Sequence, residues 1–161
     1  RRGGETRADT VVNGLETLSG GAVFPASGSD WVMVHDAARP FVDPADIRKL
    51  RDEVLSAGHG AILAMPMADT VKEASPDRRI LATRDRKSLW RAATPQAFRL
   101  SELLSALRRG TEGVTDESSA MERTGHPVSV VPGSTLNFKI TTPDDALIAE
   151  AIAESRLRKH P

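Results

Sequence analysis

Short apolar runs alternate with amphipathic helical patterns along this chain, and this alternation limits the possible folds more than any other feature. Runs of strand length occupy residues 31–35, 61–65, 128–131 and 136–140. Strands that are apolar on both faces are typical of parallel sheets covered by helices on both sides. We therefore predict an α/β fold with a mainly parallel, doubly wound sheet, in which ligands bind at the carboxyl ends of the strands.

Helix start and stop signals separate these apolar runs. One helix is predicted over residues 10–19, and a second opens at Asp43, which is followed by proline, and ends at Gly58. Aspartate is a favoured N-cap, proline fits the first helical turn, and glycine tolerates the left-handed conformation that ends many helices. By the same reasoning Ser101 and Thr142 are predicted to cap two later helices.

Residues 70–92, which we call the arm, interrupt this rhythm. A Ser-Pro-Asp-Arg turn at residues 75–78 separates two β-prone pieces, so a projecting hairpin is predicted. Apolar patches of this kind usually mark an interface, which favours contact with a second subunit over exposure to solvent. The apolar residues of the arm that carry this argument are Val71, Ile80, Leu81, Leu89 and Trp90.

Charge and composition exclude several classes of protein. The 161 residues, enough for one domain, hold 22 basic and 22 acidic side chains, so no basic excess indicates nucleic acid or an anionic membrane as a partner. The absence of cysteine excludes disulfides and thiolate chemistry and fits a cytoplasmic location. No apolar run has the length of a membrane helix, and no signal peptide is visible.

Candidate chemistry follows the first predicted strand, in the string His-Asp-Ala-Ala-Arg-Pro at residues 35–40. Asp36 at a strand end can hold Mg²⁺, and the fork of Arg39 suits a phosphate. Taken alone, Asp36 can equally be a turn residue that pairs with Arg39. His35 is interpreted as a hydrogen-bonded core residue, because the four histidines form no metal-ligand pattern.

Several separated motifs, taken in order, resemble the 2-C-methyl-D-erythritol 4-phosphate cytidylyltransferase family. Each motif is weak alone, but their common order is specific, and together they extend over nearly the whole chain. The motifs are GGETRADTV at 3–11, HDAARP at 35–40, DTVK at 69–72, DR at 85–86 with LW at 89–90, ATPQAF at 93–98, TDE at 115–117, and NFKIT at 137–141 leading into PDD at 143–145.

The resemblance implies a reaction between CTP and a polyol phosphate, assisted by Mg²⁺. In it a phosphate oxygen of 2-C-methyl-D-erythritol 4-phosphate attacks the α-phosphorus of CTP, and pyrophosphate leaves. Because both reactants are anions, positioning and cationic stabilisation should dominate the catalysis. No nucleophilic side chain is required. The implied fold is the Rossmann-like nucleotidyltransferase sheet with the arm projecting from it.

Five residues match the family positions that handle the polyol phosphate. Asp36 is implied to contact Mg²⁺ and substrate, Arg39 to bind substrate, and Lys139 to position the substrate phosphate. Thr70 and Arg86, on the arm, are implied to bind the phosphate in the site of a partner subunit, with Arg86 and Lys139 as the catalytic cations of a homodimer. Without the resemblance, Lys139 reads as a surface lysine and the arm residues as a solvated turn.

Four residues match the nucleotide end of the family's site, namely Gly4, Glu5, Thr10 and Ala37. Glycine and alanine leave room for a ligand against the backbone, and the threonine hydroxyl can donate a hydrogen bond. The family more often has aspartate where Glu5 stands and serine where Thr10 stands. Residues 115–117 are predicted to start a helix and to support the site rather than to catalyse.

The family's first strand and its Gly-rich triphosphate loop, which carries an arginine and then a lysine, have no counterpart in this sequence. We expect an N-terminally incomplete domain over residues 1–161. Two alternatives stay open. The substrate could be another polyol phosphate such as ribitol 5-phosphate, or the chain could be a catalytically inactive dimerisation module.

Overall fold

The computed structural model describes residues 3–21 and 26–159, and within them the predicted strands and helices alternate. The helices are α1 Arg7–Ser19, α2 Pro44–Ala57, α3 Leu100–Arg108, α4 Glu117–Arg123 and α5 Pro143–Lys159. The strands are β1 Trp31–Val34, β2 Gly60–Pro66, β3 Val71–Ala74, β4 Ile80–Arg84, β5 Trp90–Arg99 and β6 Val128–Pro132. Among the described residues, no helix has the length and apolar character needed to span a bilayer.

A four-stranded sheet in the order β1-β5-β2-β6 forms the centre of the molecule. β2 pairs with β6 in parallel, whereas β5 runs antiparallel to both β1 and β2. β1, β2 and β6 therefore share one direction. The predicted α/β class is confirmed, and β5 is the strand that departs from a purely parallel arrangement.

Consecutive residues of β2 point into two separate cores. Ile62 packs with Leu15 of α1 and Phe98 of β5, together with side chains of α3 and α4. Leu63 packs with Leu50, in the core that α2 forms on the other face. Because side chains of a strand alternate between faces, a strand that is apolar throughout must be covered on both sides. This confirms the prediction of helices on both faces.

Several helix ends form as the sequence predicts, and one does not. Asp43 accepts a hydrogen bond from the amide of Ala45, and Gly58 ends α2 with a left-handed φ of 73°. The prediction that Ser101 caps α3 is wrong, because the helix begins at Leu100 without a side-chain cap. The first amides of α3 bond instead to Asp30 O and Gly28 O in the turn before β1, and the Ser101 hydroxyl donates to Gly28 O at 2.8 Å.

The predicted strand at residues 136–140 is also absent, and this segment is irregular. Its backbone groups are satisfied by other means. Asn137 N donates to Ser134 O within a turn, and Ile140 N donates to Ala38 O in the loop after β1. The side chain of Asn137 is fully buried and donates to Thr94 O at 2.8 Å. The segment therefore packs as a loop against the end of β1.

The arm forms the predicted hairpin, with β3 and β4 paired antiparallel around the turn at residues 75–79. Its last part differs from the prediction, because residues 90–92 already belong to β5 and pair with β2. Ile80 and Leu81 are 66% and 64% exposed, and Trp90 at the base is 40% exposed. The described chain therefore leaves much of the apolar surface of the arm uncovered.

The start of α5 provides a test of stability against pH. The Asp145 carboxylate accepts hydrogen bonds from the amides of Thr141 at 2.9 Å and Thr142 at 2.8 Å. These bonds, together with those from the two threonine hydroxyls, lower the pKa of Asp145 from 3.8 to about 2. Because the pKa of Asp145 is lower in the folded state, its ionised carboxylate stabilises the fold at pH values above the ordinary pKa of 3.8. This contribution disappears as the pH falls towards about 2.

We therefore expect Asp145→Asn to lower the free energy of unfolding at pH 7, with a difference from wild type that shrinks between about pH 4 and pH 2. Urea unfolding at several pH values measures this. Asp144→Asn, a change in the same helical turn, serves as the control for helix-dipole effects. A difference that stays constant down to pH 2 would contradict the role assigned to Asp145.

Candidate active site

A cleft of about 250 Å³ lies beside the carboxyl end of β1. The loop after β1, the first half of β5, the start of α1, the segment before α4 and the irregular segment at residues 136–140 all contribute to it. This is the edge of the sheet at which α/β proteins bind ligands. Its lining residues are Arg7, Asp36, Arg39, Ala92, Ala93, Thr94, Gln96, Thr115, Asp116 and Lys139.

Asp36 stands at the centre of the charged groups in this cleft, and its side chain is 15% exposed. Its Oδ1 accepts from Arg7 Nε at 3.0 Å, and its Oδ2 lies 3.1 Å from Lys139 Nζ. Arg39 Nε lies 3.9 Å from Oδ2. The structure thus brings Lys139 to Asp36 and Arg39, which lie about 100 residues earlier in the sequence, and adds Arg7 to them.

The charges of this group are strongly coupled. Burial raises the pKa of Asp36, but hydrogen bonds and charge from Lys139 and Arg7 outweigh burial and hold the pKa below its usual value. Burial lowers the pKa of Arg39, although the charge of Asp36 opposes this. Because Arg7 also pairs with Glu117, Arg39 and Lys139 are the cations of this group that are available to a phosphate.

The backbone of the turn after β1 is fixed by a chain of hydrogen bonds. Asp36 N donates to Thr94 Oγ1 at 3.0 Å, and that hydroxyl lies 3.0 Å from His35 Nδ1. His35 Nε2 lies 3.0 Å from Arg39 O, which closes the turn. The prediction that His35 is a core residue is wrong, because its side chain lies in an exposed position, although both ring nitrogens are hydrogen-bonded.

Arg39 and Lys139 are linked through the irregular segment. Arg39 Nη1 donates to Asn137 O at 2.8 Å, and Ile140 N donates to Ala38 O at 2.9 Å. These two bonds tie residues 137–140 to the turn after β1 on either side of Lys139. The lysine therefore reaches the cleft from a loop instead of from the strand end that the sequence predicted.

Behind the cleft, Glu117 and Gln96 support residues that line it. Glu117, whose side chain is 1% exposed, accepts two hydrogen bonds from Arg7, at 2.8 and 3.0 Å. Gln96 Nε2 donates to Asp116 Oδ2 at 2.8 Å, and Ser118 N donates to Gln96 Oε1 at 2.9 Å. The first turn of α4 is thereby attached to β5 and to α1.

Arg7, Thr94 and Gln96 were not predicted to belong to the site, although each lies within a motif. Residues 115–117 were predicted to start a helix, and α4 begins there with Asp116 as N-cap. No local signal in the sequence marks Glu117 as the partner of Arg7, because the burial that makes this acid need a cationic partner is a property of the fold.

The four residues matched to the nucleotide end lie outside the cleft lining that the described residues form. Gly4 N donates to Thr10 Oγ1 at 3.0 Å, which fixes the entry to α1. A Cβ added at Gly4 would lie 2.3 Å from Asp9 Cβ, so packing alone requires glycine there. Glu5 and Ala37 are exposed. Their role in binding a nucleotide stays a prediction.

Thr70 and Arg86 are exposed at the base of the arm. Arg86 Nη1 donates to Ala68 O, so the guanidinium lies against the segment between β2 and β3. Within the part of the chain that the structure describes, neither residue lines the cleft around Asp36. Their predicted place in the site of a partner subunit is consistent with this position and stays a prediction.

The residues of the cleft fit a magnesium ion that arrives with a nucleotide. Among the described residues, no three His, Cys, Asp or Glu side chains form a cluster that could hold a metal ion on their own. Mg²⁺ commonly binds through one or two carboxylates, waters and the phosphates of the substrate. Asp36 offers such a carboxylate if the ion takes the place of the Lys139 contact at Oδ2, since Oδ1 accepts from Arg7. The oxygens of Asp116 accept bonds from Gln96 and from the first turn of α4.

Residues 2–155 match the family described as 2-C-methyl-D-erythritol 4-phosphate cytidylyltransferase. The protein of that name from Paraburkholderia phymatum is 48% identical over 157 residues, covering 94% of this chain and 65% of that protein. The one from Nitrosomonas eutropha is 42% identical over 154 residues, covering 96% and 65%. A crystal structure of 4-diphosphocytidyl-2C-methyl-D-erythritol synthase has a TM-score of 0.84 and 40% identity, covering 94% of this chain and 68% of that one.

This chain spans 65% of the length of these two relatives. Within that span, sequence and fold agree along nearly all of the chain, and the charged residues that the family motifs carry meet in one cleft. The resemblance seen in the separate motifs is therefore confirmed by the comparisons. The chain belongs to the 2-C-methyl-D-erythritol 4-phosphate cytidylyltransferase family.

Proposed function

We propose that this chain forms the polyol-phosphate side of an enzyme that transfers a cytidylyl group from CTP to 2-C-methyl-D-erythritol 4-phosphate in the synthesis of isoprenoid precursors. The products are 4-diphosphocytidyl-2-C-methyl-D-erythritol and pyrophosphate. The observation that carries the proposal is the cleft in which Asp36 meets Arg7, Arg39 and Lys139, in a chain of this family. Because CTP is a cytosolic nucleotide, we also propose a cytoplasmic location.

The reaction needs no general base from the protein. A phosphate oxygen of the polyol phosphate, already an anion at neutral pH, forms a bond to the α-phosphorus of CTP. The bond from that phosphorus to the bridging oxygen breaks, and pyrophosphate leaves with the electron pair. What the protein must supply is alignment of two anions and positive charge around them.

In this proposal Lys139 and Arg39 hold the phosphate of the polyol substrate. Lys139 is 42% exposed, so its ammonium can exchange part of its contact with Asp36 for a substrate oxygen. Arg39 is held by its bond to Asn137 O, which fixes the direction of its guanidinium. Asp36 keeps both cations in place and orients the hydroxyl-bearing end of the substrate.

Asp36 is also the residue that we propose for magnesium. Bound there, Mg²⁺ supplies positive charge that offsets the triphosphate oxygens of CTP. We propose that Gly4, Glu5, Thr10 and Ala37 contact the cytidine end, since α1 begins beside the cleft and its N-terminal loop is exposed to an incoming nucleotide.

We further propose a homodimer in which the arm completes the site of the partner subunit. Two observations support this: Ile80 and Leu81 are largely exposed, and Thr70 and Arg86 stand outside the cleft of their own chain among the described residues. In a two-fold dimer this exchange is reciprocal, so the arm of each subunit contributes to the site of the other. Thr70 and Arg86 then add a hydroxyl and a catalytic cation at the substrate phosphate.

The variant Lys139→Ala should raise the KM for the polyol phosphate by about 10-fold or more, because a charge-assisted contact to phosphate is lost. The affinity for CTP should change little. Initial rates measured over a range of each substrate separate the two effects. Lys49→Ala, in which an exposed lysine paired with Asp46 is removed, is the matched control. A collapse of CTP affinity with an unchanged KM for the polyol phosphate would show that the two substrates are reversed.

The experiment that tests the proposed function compares 2-C-methyl-D-erythritol 4-phosphate with ribitol 5-phosphate as acceptors for CTP. Both this chain and the full-length gene product are assayed for pyrophosphate release. We expect the full-length protein to prefer the methylerythritol substrate by kcat/KM. Preference for ribitol 5-phosphate would reassign the substrate, and no turnover of either acceptor by the full-length protein would favour an inactive dimerisation module.

A further inference from the structure

Glu117 is a buried acid that does not line the cleft formed by the described residues. Its partner is Arg7, which does line the cleft. The side chain is 1% exposed and makes a two-bond contact with Arg7, from Nη1 to Oε1 and from Nη2 to Oε2. A buried carboxylate is stabilised only when it is paired and hydrogen-bonded. The pair therefore fixes the Arg7 guanidinium, whose planar fork has one orientation in this contact.

The Nε–Nη2 edge of the Arg7 guanidinium faces Asp36, and Nη2, which donates to Glu117, also lies 3.0 Å from Asp36 Oδ1. Arg7 Nε donates to Asp36 Oδ1 at 3.0 Å, while Asp36 Oδ2 faces Lys139 Nζ at 3.1 Å. One carboxylate oxygen is thus held by an arginine that Glu117 also binds and the other by Lys139, and the two cationic side chains are similarly exposed, at 37% and 42%. Because each oxygen of the Asp36 carboxylate has its own cationic partner, the two contacts fix the rotation of the carboxylate about its bond to Cβ.

Glu117 also balances charge. The hydrogen bonds that Arg7 donates to Glu117 raise the pKa of Arg7, a group that is charged at every relevant pH in any case. Because Glu117 compensates much of the positive charge of Arg7, the negative charge of Asp36 remains available to Lys139 and Arg39. Lys139 and Arg39 then remain the cations of the cleft whose charge an incoming phosphate can use.

We propose that Glu117 is a positioning residue for the transfer reaction, acting through Arg7 to fix the Asp36 carboxylate so that Lys139 faces the polyol phosphate. This inference rests on the proposed function, and it gives α4 a role beyond support of the fold. It also explains why α4 is attached to β5 through Gln96, since the position of Glu117 depends on that attachment.

A double-mutant cycle on the full-length protein tests the inference. Glu117→Gln keeps the shape of the side chain and removes its charge, and it should lower kcat/KM for the polyol phosphate by about 10-fold or more, as changes to residues behind a site often do. In an Arg7→Lys background, which keeps the charge but lacks the fork, the same change should have an effect of less than about 2-fold. The KM for CTP should change less than that for the polyol phosphate, because Asp36 reaches CTP only through the proposed magnesium ion.

The matched control is Glu16→Gln, which removes the acid of an exposed arginine pair, Arg108–Glu16 at 2.7 Å, at a distant position. It should leave kcat/KM within about 2-fold of wild type. Equal losses from Glu117→Gln in the wild-type and Arg7→Lys backgrounds would overturn the inference, because Glu117 would then act independently of Arg7. An equal rise in the KM values of both substrates together with a loss of helical signal in circular dichroism would also overturn it, since that indicates a general loss of structure.

A second measurement does not depend on turnover and applies to this chain itself. The Arg7 Nε–H resonance, assigned by its loss in Arg7→Lys, should exchange slowly with water in wild type and in Glu16→Gln. In Glu117→Gln its exchange should be faster by about 10-fold or more, because a charge-assisted bond no longer holds the guanidinium. Unchanged exchange would overturn the inference even if the enzyme proves active. If neither acceptor is turned over, the proposed function fails. The exchange measurement still decides whether Glu117 immobilises Arg7.

Discussion

Turnover of the Asp36→Asn variant should be lower than that of wild type by about 100-fold or more, as expected when a group that positions the charges of a transition state is removed. Asparagine keeps the size of the side chain, but its one carbonyl oxygen can accept from only one of Arg7 and Lys139, which contact different oxygens of Asp36. It loses the negative charge that holds three cations together and that we propose for Mg²⁺. The loss should therefore appear in catalysis more than in folding.

Initial rates at saturating CTP and magnesium measure the effect, and circular dichroism checks the fold. The control is Asp52→Asn, which removes an exposed acid that pairs with its neighbour Arg51 on α2. Near-normal turnover of Asp36→Asn at ordinary magnesium concentrations would mean that Asp36 only closes the turn after β1. That turn is already fixed by the Thr94 and His35 bonds, so a purely structural role predicts little change in activity.

The second large effect is expected on mixing two inactive variants. In Asp36→Asn the acid of the cleft is lost, and in Arg86→Ala the cation of the arm is lost. If the arm acts in the partner's site, a heterodimer of the two has one site with both residues intact and one site with neither. Random exchange of equal amounts makes half of the dimers mixed, so about one quarter of the wild-type activity should return.

Native mass spectrometry establishes that subunits have exchanged, and the activity is then measured on the same sample. Mixing Asp36→Asn with Lys139→Ala is the matched control, because both residues belong to the same cleft. Its heterodimers contain no site with both residues intact, and activity should not return. Verified heterodimers of Asp36→Asn and Arg86→Ala that stay inactive would show that the arm serves its own subunit or only packs.

Local signals in the sequence were sufficient for much of the fold. β2 is apolar throughout and lies between two covered faces, and the caps at Asp43 and Thr142 form as expected. β5 was missed because Pro95 lies within it, and proline usually argues against a strand in the middle of a sheet. Its place between β1 and β2 is set by tertiary pairing, which no local pattern reports.

The site was predicted in part, for a similar reason. Asp36 and Lys139 were expected at one edge, and they meet at 3.1 Å. Arg7 and Glu117 lie 110 positions apart in the sequence, and no local sequence pattern predicts that they pair. Their pairing depends on α1 and α4 covering the same face of the sheet, so only the assembled fold reveals it.

Phosphorus NMR of the full-length protein with CTP and 2-C-methyl-D-erythritol 4-phosphate tests the central claim most directly. We predict that the signal of the polyol phosphate disappears while pyrophosphate and a pair of coupled diphosphate diester signals appear in equal amounts, and that none of this occurs without the polyol phosphate. Release of pyrophosphate from CTP alone, or an unchanged polyol phosphate signal beside consumed CTP, would contradict the transfer that we propose for the Asp36 cleft.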